Sequence, residues 1–305
     1  MRHKQLHEEA LPARRPAQRD KQTSFRKIIS PREVYSLLLR SFGPQGWWPL
    51  TTPAPPYSAS PSQGRKAWKD GKSRGRGYDG VEARGTQGRP FTPEGKTAAH
   101  YHQGIWPKLS GRNKFEICLG AILTQNVAWR NAERALENLN RAGLLSPSAV
   151  LNAPASKMRR LIRPSGFFIQ KEARVRRFCS HILKKHPEGV AEWLKRASLD
   201  TLRKELLGLH GVGPETADSI MLYAAERPKF VVDAYTLRLC ERMAWFKCGT
   251  YHQAQDFFEA GLPRSVKIWQ EFHALIVRLC KEHCRKTPEC SGCPLIKVCA
   301  RRGLK

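Results

Sequence analysis

Apolar residues recur every three or four positions through most of the chain beyond residue 110. The spacing predicts helices over 113–126 (NKFEICLGAILTQN) and 128–141 (AWRNAERALENLNR) most clearly. It predicts further helices over 155–162, 168–186, 198–208, 214–226, 231–246, 252–260 and 265–282. Upstream, SPREVYSLLLRSFGPQGWWP predicts an additional N-terminal helix. No β-branched alternation bounded by turns competes with these segments, so the expected fold class is all-α.

Two stretches break the pattern. Residues 51–99 hold 8 Gly and 6 Pro, with nine basic against four acidic side chains and almost no aliphatic ones. Such a segment cannot bury a core and reads as a flexible basic insertion. Residues 1–28 read as a disordered basic tail. Charge sharpens the picture: 54 Lys and Arg against 26 Asp and Glu give +28, which points to nucleic acid as the partner. No uncharged apolar run reaches the roughly 18 residues of a membrane span, and the N-terminus lacks the apolar centre of a secretory signal. The expected location is therefore cytoplasmic, with no membrane partner.

In that compartment nine cysteines should be thiols or metal ligands. Cys118, Cys179, Cys240, Cys248 and Cys280 are scattered and read as packing. Cys284, Cys290, Cys293 and Cys299 instead form C-x5-C-x2-C-x5-C in the last 22 residues. A single metal centre would organise this loop-rich tail. Four-cysteine zinc, whose usual signature is two C-x2-C pairs, and a pair of disulfides are the rival readings.

The segment SLDTLRKELLGLHGVGPETADSIMLYAAERPKFVVDAYTLRLCERMAW, residues 198–245, is the most informative. Ser198 can cap a helix with a leucine face that stops at Leu209-His210-Gly211-Val212-Gly213, and Pro214 suits the first turn of the next. Two glycines around one aliphatic residue can bring bare backbone N–H groups to an anion, although a tight helical turn would use the same residues. Asp233 follows two valines and precedes an amphipathic helix, the position of an N-cap.

Hairpin and acid together resemble the helix-hairpin-helix, Gly/Pro-Asp superfamily of DNA glycosylases, which includes endonuclease III. The resemblance spans roughly residues 110–300. It implies two helical lobes with double-stranded DNA in the cleft between them: a barrel lobe over 100–228, and a cluster lobe over 229–305 against which residues 29–50 pack. It implies Asp233 as the catalytic carboxylate and Leu209, Gly211, Val212, Gly213 and Thr216 as the DNA-gripping hairpin, which could also hold a monovalent cation. Gln125, in Ile122-Leu123-Thr124-Gln125-Asn126, corresponds to the glutamine that enters the space vacated by a flipped base. Lys171, with Arg174, Arg176 and Arg177, would contact phosphate.

Bifunctional members carry a lysine where this chain has Glu215, and a glutamate cannot form a Schiff base with the sugar. The expectation is a monofunctional glycosylase. The run Gly211-Val212-Gly213-Pro214-Glu215-Thr216-Ala217-Asp218 is most similar to the bacterial 3-methyladenine DNA glycosylase branch, which implies an alkylated purine as substrate. Trp129, Tyr235, Phe167, Phe168, Trp47 and Trp48 are candidate walls for that base. The resemblance also assigns a [4Fe-4S] cluster to the four cysteines, although the first gap is one residue shorter than the family's. Arg285, Lys286, Lys297, Arg301 and Arg302 beside the ligands would dock on DNA. Base excision by a nucleoid-associated monomer is the leading expectation. The alternatives are a lyase on oxidised pyrimidines that uses another lysine, such as Lys171 or Lys229, and a non-catalytic lesion-binding module.

Overall fold

The computed structural model describes residues 29–46, 48–51, 108–246 and 249–301; within them the chain is helical, with no β-strand. The tail 1–28, nearly all of the 51–99 insertion, Trp47, Cys248 and Arg302 lie outside the described residues. The helices are α1 (Pro31–Phe42), α2 (Gly111–Leu123), α3 (Trp129–Arg141), α4 (Pro147–Asn152), α5 (Ala155–Ile162), α6 (Phe168–Lys185) and α7 (Val190–Arg196). They continue as α8 (Leu199–Leu207), α9 (Pro214–Ser219), α10 (Ala234–Arg242), α11 (Tyr251–Gly261) and α12 (Val266–Glu282).

Short polar residues set the starts. Ser30, Ser110, Ser146, Ser198, Asp233, Thr250 and Ser265 each accept a backbone N–H from the first turn of the helix that follows. The periodicity missed α4 and α7, which at six and seven residues are too short to display a repeat. Two expected helices are shorter than predicted. The α-helical part of 214–226 ends at Ser219 and gives way to a π-helical turn, Ile220–Ala224. In 231–246 the buried Val231 and Val232 stay outside the helix, which begins only after Asp233 caps it.

Helix α2, buried almost all round, is the axis of the first half and packs on α3, α6, α7 and α9. Helix α12 plays that part in the second half, with α1 on one side and α10 on the other. The π turn touches both α2 and α12 and so joins the two halves of one continuous core. The segment after α1 is pinned across the same seam. The Gln45 N–H donates to Glu271 Oε1 at 2.6 Å, Thr51 donates through N–H and Oγ1 to Glu116 Oε1, and Trp48 lies in the core. Gly120 makes room for that indole: a Cβ there would stand 3.0 Å from the Trp48 ring. Thr51, the first residue of the predicted insertion, is thus an anchored, buried residue.

Candidate nucleic-acid and catalytic site

Helices α8 and α9 form the predicted helix-hairpin-helix. Their relative position is fixed by Asp218, fully buried on α9. Its Oδ1 accepts Arg203 Nε of α8 at 2.8 Å, and its Oδ2 accepts the Tyr251 hydroxyl at 2.8 Å and Gln255 Nε2 at 2.7 Å from α11. In the turn, Gly211 adopts φ +87°, and a Cβ there would lie 2.5 Å from Arg174 Nε. Only glycine meets both conditions. Gly213 has an ordinary φ of −91°, and a Cβ there would meet nothing within 4 Å. Its bare backbone therefore faces open space at the start of α9, where the first-turn N–H groups have no partner within the helix.

Gln125, half-buried just beyond α2, is locked onto this hairpin. Its Nε2 donates to Gly211 O at 2.9 Å and to Thr216 Oγ1 at 2.8 Å, and its Oε1 accepts Arg174 Nη1. The residue predicted to probe the base stack and the hairpin predicted to grip the backbone are therefore one hydrogen-bonded unit. The Thr216 side chain is buried inside it, so any DNA contact from Thr216 must use its backbone. Val212 is also buried and Leu209 half-buried, packed beneath the turn.

Asp233 does two things at once. Its Oδ1 caps α10, accepting Thr236 N at 2.7 Å and Thr236 Oγ1 at 2.9 Å. Its Oδ2 faces His273 of α12, with Nε2 3.6 Å away. His273 Nδ1 lies 2.7 Å from the hydroxyl of Tyr223, which rides on the π turn and also reaches Gln270 O at 3.2 Å. Burial alone would push the Asp233 carboxyl up; His273 and the Thr236 donors more than offset it, and its pKa lies below the usual aspartate value. Glu215, one residue into α9, opens to solvent, yet the surrounding walls and the Asp233 charge raise its pKa, with His273 opposing. Two carboxylates whose environments drive their affinities for a proton apart mark acid–base chemistry. Sequence reasoning did not find His273 and Tyr223. Each reads locally as one polar residue inside an apolar helix, and only the fold pairs them across 50 positions.

Lys171 departs from expectation. It is 1% exposed, and its ammonium donates to Leu123 O at 2.7 Å and Ser165 O at 2.5 Å. Burial, with help from Arg174, lowers its pKa to about 8. It serves the ends of α2 and of a 3-10 turn and cannot reach phosphate. Arg176 is likewise occupied by Glu172 and the carbonyls of Leu151 and Ala153, which leaves Arg177 as the exposed cation of that group. Lys229 pairs with Glu259 at 3.1 Å. The predicted aromatic walls also divide. Trp48, Trp129 and Tyr223 form a buried cluster, with centroids 4.9 and 5.1 Å from Trp48, and so are core. Phe167 stands 62% exposed at a left-handed φ of 45°, a strained position for a bulky residue.

After α12 the four tail cysteines line one small cavity together with Arg242. Arg242 Nη1 donates to Cys284 Sγ at 3.0 Å, and the Arg301 N–H approaches Cys299 Sγ at 3.4 Å. A hydrogen bond from Cys280 and the Arg242 cation bring Cys284 down to about 6 against the effect of burial. Arg285, Lys286, Lys297 and Arg301 are exposed around this loop.

A family model described as HhH-GPD superfamily base excision DNA repair protein matches residues 119–264. A candidate DNA repair glycosylase of Methanocaldococcus jannaschii is 42% identical over 201 residues, 65% of this chain and 89% of that protein. Endonuclease III of Thermotoga maritima is 25% identical, over 62% of this chain and 85% of the enzyme. Among solved structures, the H. pylori 3-methyladenine DNA glycosylase bound to 1,N6-ethenoadenine aligns with a TM-score of 0.50 and 28% identity, covering 55% of this chain and 85% of that one. A trapped endonuclease III–DNA covalent intermediate aligns with a TM-score of 0.54 at 22% identity, over 63% and 86% of the two chains, a likeness of fold.

Proposed function

The chain belongs to the HhH-GPD superfamily of base excision DNA repair proteins, and from that premise we propose that it is a monofunctional DNA N-glycosylase acting on a flipped, alkylated purine. The observation that carries the reading is the acidic pair. Glu215 stands where a lyase needs an amine, and two lysines that could replace it, Lys171 and Lys229, are tied to carbonyls and to Glu259. That neither of these two amines is free supports water as the nucleophile.

Breakage of the N-glycosidic bond leaves its electron pair on the departing base and positive charge on the deoxyribose. The ionised Asp233, held by Thr236 and His273, faces that charge through Oδ2 and stabilises it. Water then adds to C1′ and gives up a proton to the carboxylate pair. The hairpin takes the backbone phosphate, Gln125 exchanges its bonds to Gly211 O and Thr216 Oγ1 for a place in the stack, and the exposed Phe167 acts as an apolar wedge. Likeness to the H. pylori 3-methyladenine enzyme supports the choice of an alkylated purine.

The four tail cysteines suit a [4Fe-4S] cluster. All four line one small cavity, where Arg242 Nη1 donates to Cys284 Sγ at 3.0 Å and so favours a thiolate ligand. When bound it would order the basic loop; the hydrolysis moves no electrons and needs none from it.

The test is a panel of duplexes carrying alkylated purines, uracil, mismatched thymine or oxidised pyrimidines, treated with hot alkali or with borohydride. Strand breaks only after alkali, strongest for the alkylated purine, are expected. A borohydride-trapped adduct would mean lyase chemistry, and cutting confined to another duplex would remove the alkylated-purine assignment. Binding without any base release would leave a lesion-binding module.

A further inference from the structure

A second cluster of metal-binding side chains lies apart from Asp233 and from the cysteine loop. His181 projects from the last part of α6. His186 follows directly after that helix, whose path breaks there at φ −132°, ψ 62°. Glu205 comes from α8, the first helix of the hairpin. Both imidazoles converge on one oxygen: His181 Nε2 lies 2.8 Å and His186 Nε2 2.6 Å from Glu205 Oε1. All three donor atoms fall within 4.8 Å of one another, the one such group among the described residues.

We propose that His181, His186 and Glu205 form a mononuclear site for a divalent cation of the zinc class, which clamps the hairpin's first helix to α6. Nitrogen and oxygen ligands at tetrahedral zinc stand about 3.3 Å apart. The two N···O separations, 2.8 and 2.6 Å, need to open by only about 0.5 and 0.7 Å to admit the ion.

The surroundings are those of a supported site. Glu188 Oε1 lies 3.4 Å from His186 Nδ1, and its charge favours the tautomer with the proton on that nitrogen, which leaves the Nε2 lone pair for the metal. Trp193 Nε1 donates to Glu205 Oε2 at 2.9 Å, which orients the carboxylate so that Oε1 is the ligand. The Trp193 ring stacks on His186, with centroids 4.6 Å apart and planes 18° apart, and holds the imidazole in place. Side-chain exposures of 18%, 14% and 22% for His181, His186 and Glu205 leave room for a water as fourth ligand. Without metal, the same residues form a plain hydrogen-bonded cluster, so the ion would exchange two N–H···O bonds for three coordination bonds.

The experiment is calorimetric titration of zinc into the full-length protein with its iron loaded, alongside His181→Asn/His186→Asn. The wild type should take one zinc per chain and the double variant should bind it at least about a hundredfold more weakly. Helical content by circular dichroism checks that the variant is folded. If it is not, Glu188→Gln replaces it, with an expected loss of about 10- to 100-fold in affinity. Anomalous scattering at the zinc edge should place the ion against both Nε2 atoms. Equal zinc binding by the wild type and a folded variant, zinc found at the cysteines instead, or no uptake in the micromolar range would each overturn the proposal.

Discussion

The two hairpin glycines should fail in opposite ways when replaced by alanine. At Gly211 the left-handed φ of +87° costs a non-glycine residue about 1–2 kcal/mol. The new Cβ would also stand 2.5–2.7 Å from Arg174 Nε, Cδ and Cγ, so Arg174 must leave. Its bond to Gln125 then breaks. A hydrogen bond to a charged group is worth about 1.5–3 kcal/mol. Together these give about 2.5–5 kcal/mol, or a drop of roughly 5–20 °C in Tm for about 200 ordered residues. At Gly213 the backbone is unstrained and the Cβ meets open space, so Gly213→Ala should melt like wild type or gain about 0.4–1 kcal/mol. Its methyl would instead stand between the backbone N–H groups and a phosphate, and loss of that contact should weaken binding by about 10- to 100-fold. Thermal melts and fluorescence anisotropy on a duplex with a stable abasic analogue separate the effects. Wild-type binding by Gly213→Ala would refute the idea that DNA approaches this turn, and a wild-type Tm for Gly211→Ala would refute the Arg174–Gln125 lock.

Three further substitutions probe the carboxylates. His273→Phe removes the donor that holds Asp233 below its usual range; burial then favours the protonated form, so base release should fall at pH 5 far more than at pH 8 in a single-turnover assay. Glu271 is raised by burial to about 7 despite bonds from the Gln45 and Gly46 N–H groups. Its folded form binds a proton more tightly than the unfolded chain, so stability is full below pH 4.5 and declines by about 3 kcal/mol as pH rises through 7. Glu271→Gln should therefore be more stable than wild type at pH 8 and no more stable at pH 4.5, as read by urea denaturation. Asp218→Ala strands Arg203 and should cost about 3–5 kcal/mol in the same measurement, with the hairpin loosened.

The longer helices, the hairpin, the capping position of Asp233 and the cysteine spacing were legible because each is written locally, as a period, a turn residue or a cap; the short α4 and α7 were not. Lys171 shows where local reading stops. On sequence it is a basic residue in the first turn of α6 and should be solvated. In the fold, that turn abuts the C-terminal end of α2, whose last carbonyls lack partners, and the ammonium satisfies Leu123 and Ser165 together. His273 and Tyr223 escaped for the complementary reason. Their meeting depends on the π turn placing the phenol against α12, and no short-range pattern records that contact. Trp48 and Trp129 look like base walls by residue type, and they are core because Gly120 leaves space for the indole of Trp48.

On the proposed function, Asp233 as helix cap and Asp233 as catalyst are two aspects of one arrangement. The cap spends Oδ1 on Thr236 and thereby fixes where Oδ2 points, and the N-terminal end of α10 adds partial positive charge that favours the ionised carboxylate. Serine caps a helix about as well as aspartate but brings no charge. Asp233→Ser should thus keep the wild-type stability within about 1 kcal/mol, keep DNA affinity, and lose base release by about 10²- to 10³-fold or more, as removal of one transition-state stabiliser does. Asp233→Asn should lose as much. If the serine variant excised bases at the wild-type rate, the capping role would account for this residue alone, and the catalytic carboxylate would have to be sought at Glu215.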